Sequence, residues 1–278
     1  MRKRCSPLAR LSVIVAIVAI VIVQRASCLS SQSPSSPQRP SVISGARRPA
    51  SLPRHVGLIL DGNTRYATRF SGAVKDPYEP GSTNTAQIVC HIANEYREVD
   101  DLVLYALSRD NRVKRGEMVT ETVVQQVVDQ CLRYVDGAAA ESGGGSGSPA
   151  LPSRPLRIRF NGGALGRFAS TLERIEKSTE AIASASPEKK PLNVYILLNY
   201  SGRESLKAIP ENASFVMPFD LDLIVRSAGE MRLSDFCPYE SSYAELISVE
   251  ELWPEVTPGI IDDVVHEYAR RRRKMGGL

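Results

Sequence analysis

The chain has 278 residues, 42% of them hydrophobic and 24% charged, an ordinary globular composition with enough apolar material for one large core. Its formal charge of +4 is unevenly placed: no Asp or Glu precedes Asp61, while nine Lys or Arg lie between Arg2 and Arg54, and removing them leaves −5. The basicity therefore belongs to a leader and gives no ground for expecting nucleic acid as a partner.

The leader falls into two parts. In residues 1–28, Arg2, Lys3, Arg4 and Arg10 precede the apolar run LSVIVAIVAIVIV, and Ala26-Ser27-Cys28 offers a small-residue cleavage site. Thirteen apolar residues suit a secretory signal and fall short of the ~20 that a membrane span needs. Residues 29–53 are rich in Ser, Pro and Arg, free of acids, and unable to bury a core. A signal followed by such a stretch resembles a bipartite presequence for a plastid reached through the secretory route. A signal anchor on the endoplasmic reticulum membrane and a plain secretory signal are the alternatives. Cys5 and Cys28 lie in this leader; Cys90, Cys131 and Cys237 form an odd, widely spaced set that argues against a disulfide scaffold and a metal centre.

From 54 to 278 the pattern predicts one α/β domain. VGLIL (56–60), LVLYAL (102–107), LRIRF (156–160), LNVYILL (192–198) and LDLIV (221–225) read as strands, apolar almost throughout, as strands buried on both faces are. Helical spacing occupies 83–97, 118–135, 167–184 and 259–273; in the second of these Val119, Val123, Val124, Val127, Val128, Leu132 and Val135 share one side of a helix. This alternation predicts a single, mostly parallel central β-sheet flanked by helices. ESGGGSGSP (141–149) and SPEKKP (186–191) read as a flexible loop and a turn.

Ligands of parallel sheets bind beyond the carboxyl ends of the strands. Four of the five predicted strands run into polar residues there: Asp61-Gly62-Asn63-Thr64-Arg65, Ser108-Arg109-Asp110-Asn111, Asn199-Tyr200-Ser201-Gly202-Arg203, and Arg226 through Ser234. Each alone has a plain explanation: Asp-Gly as a turn, the arginines as surface residues, Ser234 as the cap of a following helix, Glu245 as a solvated helix or strand residue. Together they point to one rim able to hold phosphates, through arginine forks and the main-chain N–H groups of a glycine turn.

HVGLILDGNTRYA, LVLYALSRDNRVKR, LNVYILLNYSGRESL, DLDLIVRSAGEMRLSDF and SSYAELISVEELWPE, in that order, resemble the successive signatures of the cis-prenyltransferases, the family of undecaprenyl and dehydrodolichyl diphosphate synthases. The resemblance implies condensation of isopentenyl diphosphate with an allylic prenyl diphosphate primer, a cis double bond and released diphosphate at each step, with Mg²⁺ as cofactor. It implies Asp61 and Glu245 as metal carboxylates, and Gly62, Asn63, Thr64 and Arg65 around the allylic diphosphate. Arg226, Arg232 and Ser234 would hold the isopentenyl diphosphate. Asn63, Ser108 and Asn111 would join Asp61 beside the reacting atoms. Helix 118–135 would line a tunnel for the growing chain or simply pack on the sheet. The expected assembly is a homodimer, membrane-associated through its lipid product. A non-catalytic or weakly active scaffold subunit of a heteromeric enzyme is the alternative.

The pattern is broken in places. Thr64 and Tyr66 replace the Gly and Trp of the family's DGNGRWA, a Gly-His pair is replaced near Pro77-Tyr78, so that the family's histidine for the primer phosphate is missing, and Lys75 is a candidate substitute for a nearby family arginine. Leu107, Asp110 and Ser227-Ala228 also depart, the 203–221 region is short of an expected helix, and Lys274-Met275-Gly276 stands in the place of a terminal Arg-x-Gly.

Overall fold

The computed structural model describes residues 51–70, 76, 78–142, 151–207 and 217–271. The signal-like leader, Lys75, Pro77, most of the 141–149 loop, part of the shortened 203–221 region and the Lys274-Met275-Gly276 tail lie outside the described residues.

Six strands build one sheet: β1 (His55–Ile59), β2 (Asp101–Ser108), β3 (Leu156–Gly162), β4 (Leu192–Tyr200), β5 (Leu223–Arg226) and β6 (Glu245–Ser248). Their order is β3-β4-β2-β1-β5-β6, and every neighbouring pair is parallel. The five expected strands are all present. The sixth, ELIS, is only four residues long, too short for a periodic signal. With β1 at the centre, β2 and β5 pass on either side of it, so residues following all three emerge at one edge.

The helices are α1 (Asn63–Arg69), α2 (Glu79–Glu95), α3 (Arg109–Arg115), α4 (Glu117–Ser142), α5 (Ala169–Ser184), α6 (Gly202–Lys207) and α7 (Pro258–Arg270). α2 and α7 open with a proline in the first turn, where the missing N–H costs nothing, and Thr257 caps α7 by accepting from the N–H of Ile260. Sequence periodicity finds the long helices and misses α1, α3 and α6, which have seven residues or fewer and bury almost nothing apolar. Of the shortened 203–221 region, residues up to Lys207 belong to α6, and 208–216 lie outside the described residues.

One face of the sheet buries Leu58, Leu104, Val194 and Ile196 against Ile88 and Ile92 of α2, Val124 and Val128 of α4, Ile175 of α5 and Val264 of α7. Across the other face, Ile59, Val103, Tyr105, Leu197 and Ile224 pack with Met217, Leu221, Phe236 and Cys237. Gly57 in β1 makes room there, since a Cβ would stand 2.7 Å from the Phe236 ring. Among the described residues, no helix is long and apolar enough to cross a membrane.

Candidate functional site

β1 delivers Asp61 to the carboxyl edge of the sheet, and the backbone fixes it there. Its carbonyl accepts from the N–H of Trp253 at 2.9 Å and from Ser227 Oγ at 2.7 Å. Gly62 follows at φ 104°, where a side chain would also press within 2.9 Å of Leu252 Cδ2, so this turn requires glycine on both counts. The Gly62 N–H donates to Asp61 Oδ1 at 2.7 Å.

Arg226, the last residue of β5 and in register with Ile59, donates from Nη2 to Asp61 Oδ2 at 2.8 Å. Arg65 Nη2 lies 3.5 Å from Oδ1, one helical turn away. Burial alone would raise the Asp61 pKa, but the Arg226 hydrogen bond and the charges of Arg226 and Arg65 outweigh it and hold the carboxyl below its usual range. Asp61 is therefore ionised.

The Arg226 side chain is 4% exposed, and its Nη1 donates to Ser234 Oγ at 2.8 Å and to the carbonyl of Arg232. It threads the 226–234 loop, whose Ala228 (φ 73°) and Ser234 (φ 50°) adopt left-handed conformations. No helix begins after Ser234, which removes the capping explanation of that residue; Ser234 is instead held by Arg226 and by Tyr105 OH, which donates to its carbonyl at 3.1 Å. Arg232 is exposed and paired with Glu230, whose carboxyl lies below the usual range chiefly through that hydrogen bond.

Asn63 Nδ2 donates to the Leu60 carbonyl at 3.1 Å, while its Oδ1 is buried without a hydrogen-bond partner among the described residues. Gly81 on α2 leaves space for it: a Cβ there would fall 1.9 Å from Oδ1. Trp253 locks this corner, donating from Nε1 to the Gly81 carbonyl at 3.0 Å and to Thr85 Oγ1 at 2.9 Å.

A cavity of about 180 Å³ is lined by Asp61, Gly62, Asn63, Thr64, Arg65 and Asn111, together with Tyr78, Gly81, Arg115 and Trp253. Ser108 is absent from its lining; its Oγ instead accepts from the Asn111 N–H at 3.0 Å, the N-cap of α3. A second cavity of about 300 Å³ shares Leu60, Ser82, Thr85, Ala106 and Val127 with the first, and continues between α2, α4 and the sheet to Tyr134, Leu156 and Ile196. Its wall is mostly apolar, and burial pushes the Cys131 thiol there up to about 12.

Glu245 is placed elsewhere. It opens β6 opposite Leu223, whereas Arg226 pairs with Ser248 at the other end of that strand, so Glu245 lies ~10 Å of strand away from the rim. It pairs with Arg271 at 2.9 Å and does not face Asp61 within this chain. This corrects its expected place beside the metal carboxylate; its position at the start of a strand, and not at the end, is the physical reason.

Among the described residues, no group of three or more His, Cys, Asp or Glu could hold a metal. Mg²⁺, however, is commonly bound through one or two carboxylates with substrate phosphates and water supplying the other oxygens. An ionised Asp61 on the wall of a cavity rimmed with arginines fits that mode, and does not fit an all-protein cage.

Tyr78, Gly81, Arg115, Glu230 and Trp253 also belong to this neighbourhood, and the sequence motifs assigned none of them a role. LWPE was visible as a signature. Arg115 and Glu230 also fall inside quoted signatures, whereas Tyr78 and Gly81, at the start of α2, are brought here only by the fold.

Compared with known proteins, residues 59–216 and 207–276 match a family profile described as putative undecaprenyl diphosphate synthase. The chain is 27% identical over 246 residues to a tritrans,polycis-undecaprenyl-diphosphate synthase (geranylgeranyl-diphosphate specific) of Pyrobaculum aerophilum, covering 81% of this chain and 96% of that one. It is 27% identical over 243 residues to an isoprenyl transferase of Wolinella succinogenes, covering 81% and 97%. In fold it is similar to lavandulyl diphosphate synthase from Lavandula x intermedia, solved with dimethylallyl diphosphate (TM-score 0.62, 19% identity, 81% of this chain and 99% of that one). A probable undecaprenyl diphosphate synthase from Campylobacter jejuni gives a TM-score of 0.54 at 20% identity, covering 82% and 99%.

Proposed function

The chain belongs to the undecaprenyl diphosphate synthase family of prenyltransferases, and we propose that it condenses isopentenyl diphosphate with an allylic prenyl diphosphate to give a cis-prenyl diphosphate. The observation that supports this reading is the cavity around Asp61, polar on one side and apolar on the other, which shares Leu60, Ser82, Thr85, Ala106 and Val127 with a larger, mostly apolar cavity. An allylic primer has that polarity, a diphosphate head and a hydrocarbon tail.

In this reading the primer's diphosphate sits on Gly62, Asn63, Thr64 and Arg65, and its tail enters the apolar cavity between α2 and α4. The second diphosphate lies on Arg232 and Ser234, with Arg226 holding that loop against Asp61. The allylic C–O bond breaks, the isopentenyl double bond forms the new C–C bond, and a proton leaves the neighbouring carbon. Asn63, with its unpaired Oδ1, orients the reacting groups. Asp61, together with phosphate oxygens, would hold Mg²⁺, which would supply charge neutralisation for the departing diphosphate. Rigid strand ends matter here because transfer requires two reacting carbons to be held at near-contact distance.

The same reading includes a homodimer and membrane association through the lipid product. Delivery to a plastid by the bipartite leader, or retention at the endoplasmic reticulum membrane, is a proposal resting on sequence alone.

Purified full-length chain incubated with labelled isopentenyl diphosphate, farnesyl or geranyl diphosphate and Mg²⁺ should yield solvent-extractable polyprenyl product. Absence of product from the chain alone, with product on adding a second subunit, identifies a scaffold instead.

A further inference from the structure

Ser234 and Asp235 are consecutive and both left-handed, at φ 50° and 68°, and Cys237 follows at φ 38°. Side chains disfavour this conformation, and a cluster of such residues persists only where its surroundings impose it. Phe236, between them, is fully buried among Ile59, Tyr105 and Leu221. Ser234 is restrained on one side by Arg226 and by Tyr105 OH.

The end of β4 supplies the restraint on the other side. Asp235 Oδ2 accepts from Ser201 Oγ at 2.6 Å, and its Oδ1 accepts from the main-chain N–H of Arg203 at 3.0 Å. The Asp235 carbonyl accepts from the Gly202 N–H at 3.1 Å. That approach requires glycine, because a Cβ there would stand 2.7 Å from the same carbonyl oxygen and 2.2 Å from Pro238 Cδ. Ser201 Oγ also accepts from the N–H of Glu204, in the first turn of α6, at 3.3 Å. Three successive residues after β4 thus donate to one aspartate. The Arg203 guanidinium, 3.9 Å from the carboxylate and largely exposed, adds little to this.

We propose that Asp235 is a positioning residue for isopentenyl diphosphate: by fastening the 232–237 loop to the end of β4, it keeps Ser234 in the left-handed conformation in which its Oγ meets Arg226. Asp235 itself does not touch the substrate. Without its carboxylate, only the Gly202 N–H opposes the strain from that side. Relaxation of Ser234 to negative φ then carries its hydroxyl, and the neighbouring Arg232, off the diphosphate. The primer side is separate, since Ser201, Gly202, Arg203 and Asp235 do not line the cavity of Gly62 to Arg65. The inference rests on the prenyltransferase reading, and its test distinguishes the failure of one from the failure of the other.

The full chain is titrated calorimetrically with isopentenyl diphosphate alone and, separately, with farnesyl diphosphate alone, so that nothing reacts. Asp235→Ala should weaken binding of isopentenyl diphosphate by about tenfold, as a small misplacement of binding groups does, and change that of farnesyl diphosphate by less than about twofold. Asp235→Asn should restore most of the affinity, because its carbonyl oxygen accepts from the Arg203 N–H and its amide donates to Ser201 Oγ. Ser201→Ala should weaken binding by less, and adding it to Asp235→Ala should cost nothing further, as for groups that act through one contact. In turnover, the KM for isopentenyl diphosphate should rise while the KM for the primer holds. Wild-type affinity in Asp235→Ala, or equal losses for both diphosphates, overturns the proposal. If Asp235→Ala does not fold, Ser201→Ala decides, and unchanged affinity for isopentenyl diphosphate in that variant overturns it too. If the wild-type chain binds isopentenyl diphosphate in an Asp235-dependent way yet forms no product, the positioning role stands and the transferase reading falls. If the wild-type chain does not bind isopentenyl diphosphate at all, the positioning role is overturned.

Discussion

Asp61 and Arg226 meet at 2.8 Å across the ends of adjacent parallel strands, and the same guanidinium reaches Ser234 at 2.8 Å. A residue that the resemblance assigns to the metal and two that it assigns to the isopentenyl diphosphate are thus one hydrogen-bonded unit. Arg226 positions both halves: it holds the carboxylate on one side and the 226–234 loop on the other.

Asp61→Asn tests this pair. In the proposed reading it removes the carboxylate that would hold the metal, so turnover should drop by at least about a hundredfold, roughly 2.7 kcal/mol in barrier. It also leaves the buried Arg226 without its counter-charge, which should cost about 2 kcal/mol, less than for a fully buried pair because Asp61 is about a third exposed. Steady-state kinetics and urea unfolding measure the two effects. Turnover within tenfold of wild type would contradict the metal assignment.

Gly81→Ala isolates Asn63. The new methyl would claim the space of Asn63 Oδ1, 1.9 Å away, and the amide must rotate out. The expected result is a kcat lower by about tenfold or more with the fold retained by circular dichroism. Unchanged kcat would mean that the Asn63 amide position does not matter to the reaction.

Much of this was legible in the chain itself. VGLIL, LVLYAL, LNVYILL and LDLIV are apolar on both faces because the sheet is covered on both, the pattern of a parallel sheet, whereas LRIRF, at the sheet edge, alternates with Arg157 and Arg159. Asp61 to Arg65 and Asn111 come together as the topology requires. Glu245 misled because a motif states composition and not which end of a strand it occupies; β6 enters the sheet at this residue and leaves at Ser248. Ser108 reads as rim chemistry yet caps a helix too short to leave a periodic trace. Asp235 escaped because its partners Ser201 and Arg203 are distant in sequence, and no spacing rule connects them.

The junction of the two cavities makes a prediction about product size. Ala106 lines both, on β2. Ala106→Leu narrows the passage, so the product distribution should shift to shorter chains while the first condensation persists, as read by thin-layer chromatography of labelled products. An unaltered distribution would show that the hydrocarbon takes another path.

Glu240, remote from the site, should make stability depend on pH. It is 4% exposed, and burial pushes its carboxyl above the ordinary glutamate value of ~4.3. A raised folded-state pKa means a contribution that is full below the unfolded value and lost as pH rises through the folded one. Glu240→Gln keeps an acceptor for the Met217 N–H, which reaches Glu240 Oε1 at 3.4 Å. The variant should therefore gain stability relative to wild type as pH increases. Urea midpoints of the two proteins that run parallel as pH rises above the ordinary glutamate value would argue against a raised Glu240 pKa.

The central claim is that two diphosphates are held side by side at the carboxyl edge of β1 and β5. A crystal structure of the chain with Mg²⁺, isopentenyl diphosphate and an unreactive allylic diphosphate tests it most directly. The account predicts a metal ~2.1 Å from an Asp61 oxygen, the allylic diphosphate on residues 62 to 65 with its tail past Ala106, and the second diphosphate against Arg232 and Ser234. A metal bound away from Asp61, or the two diphosphates on separate faces of the sheet, would contradict it.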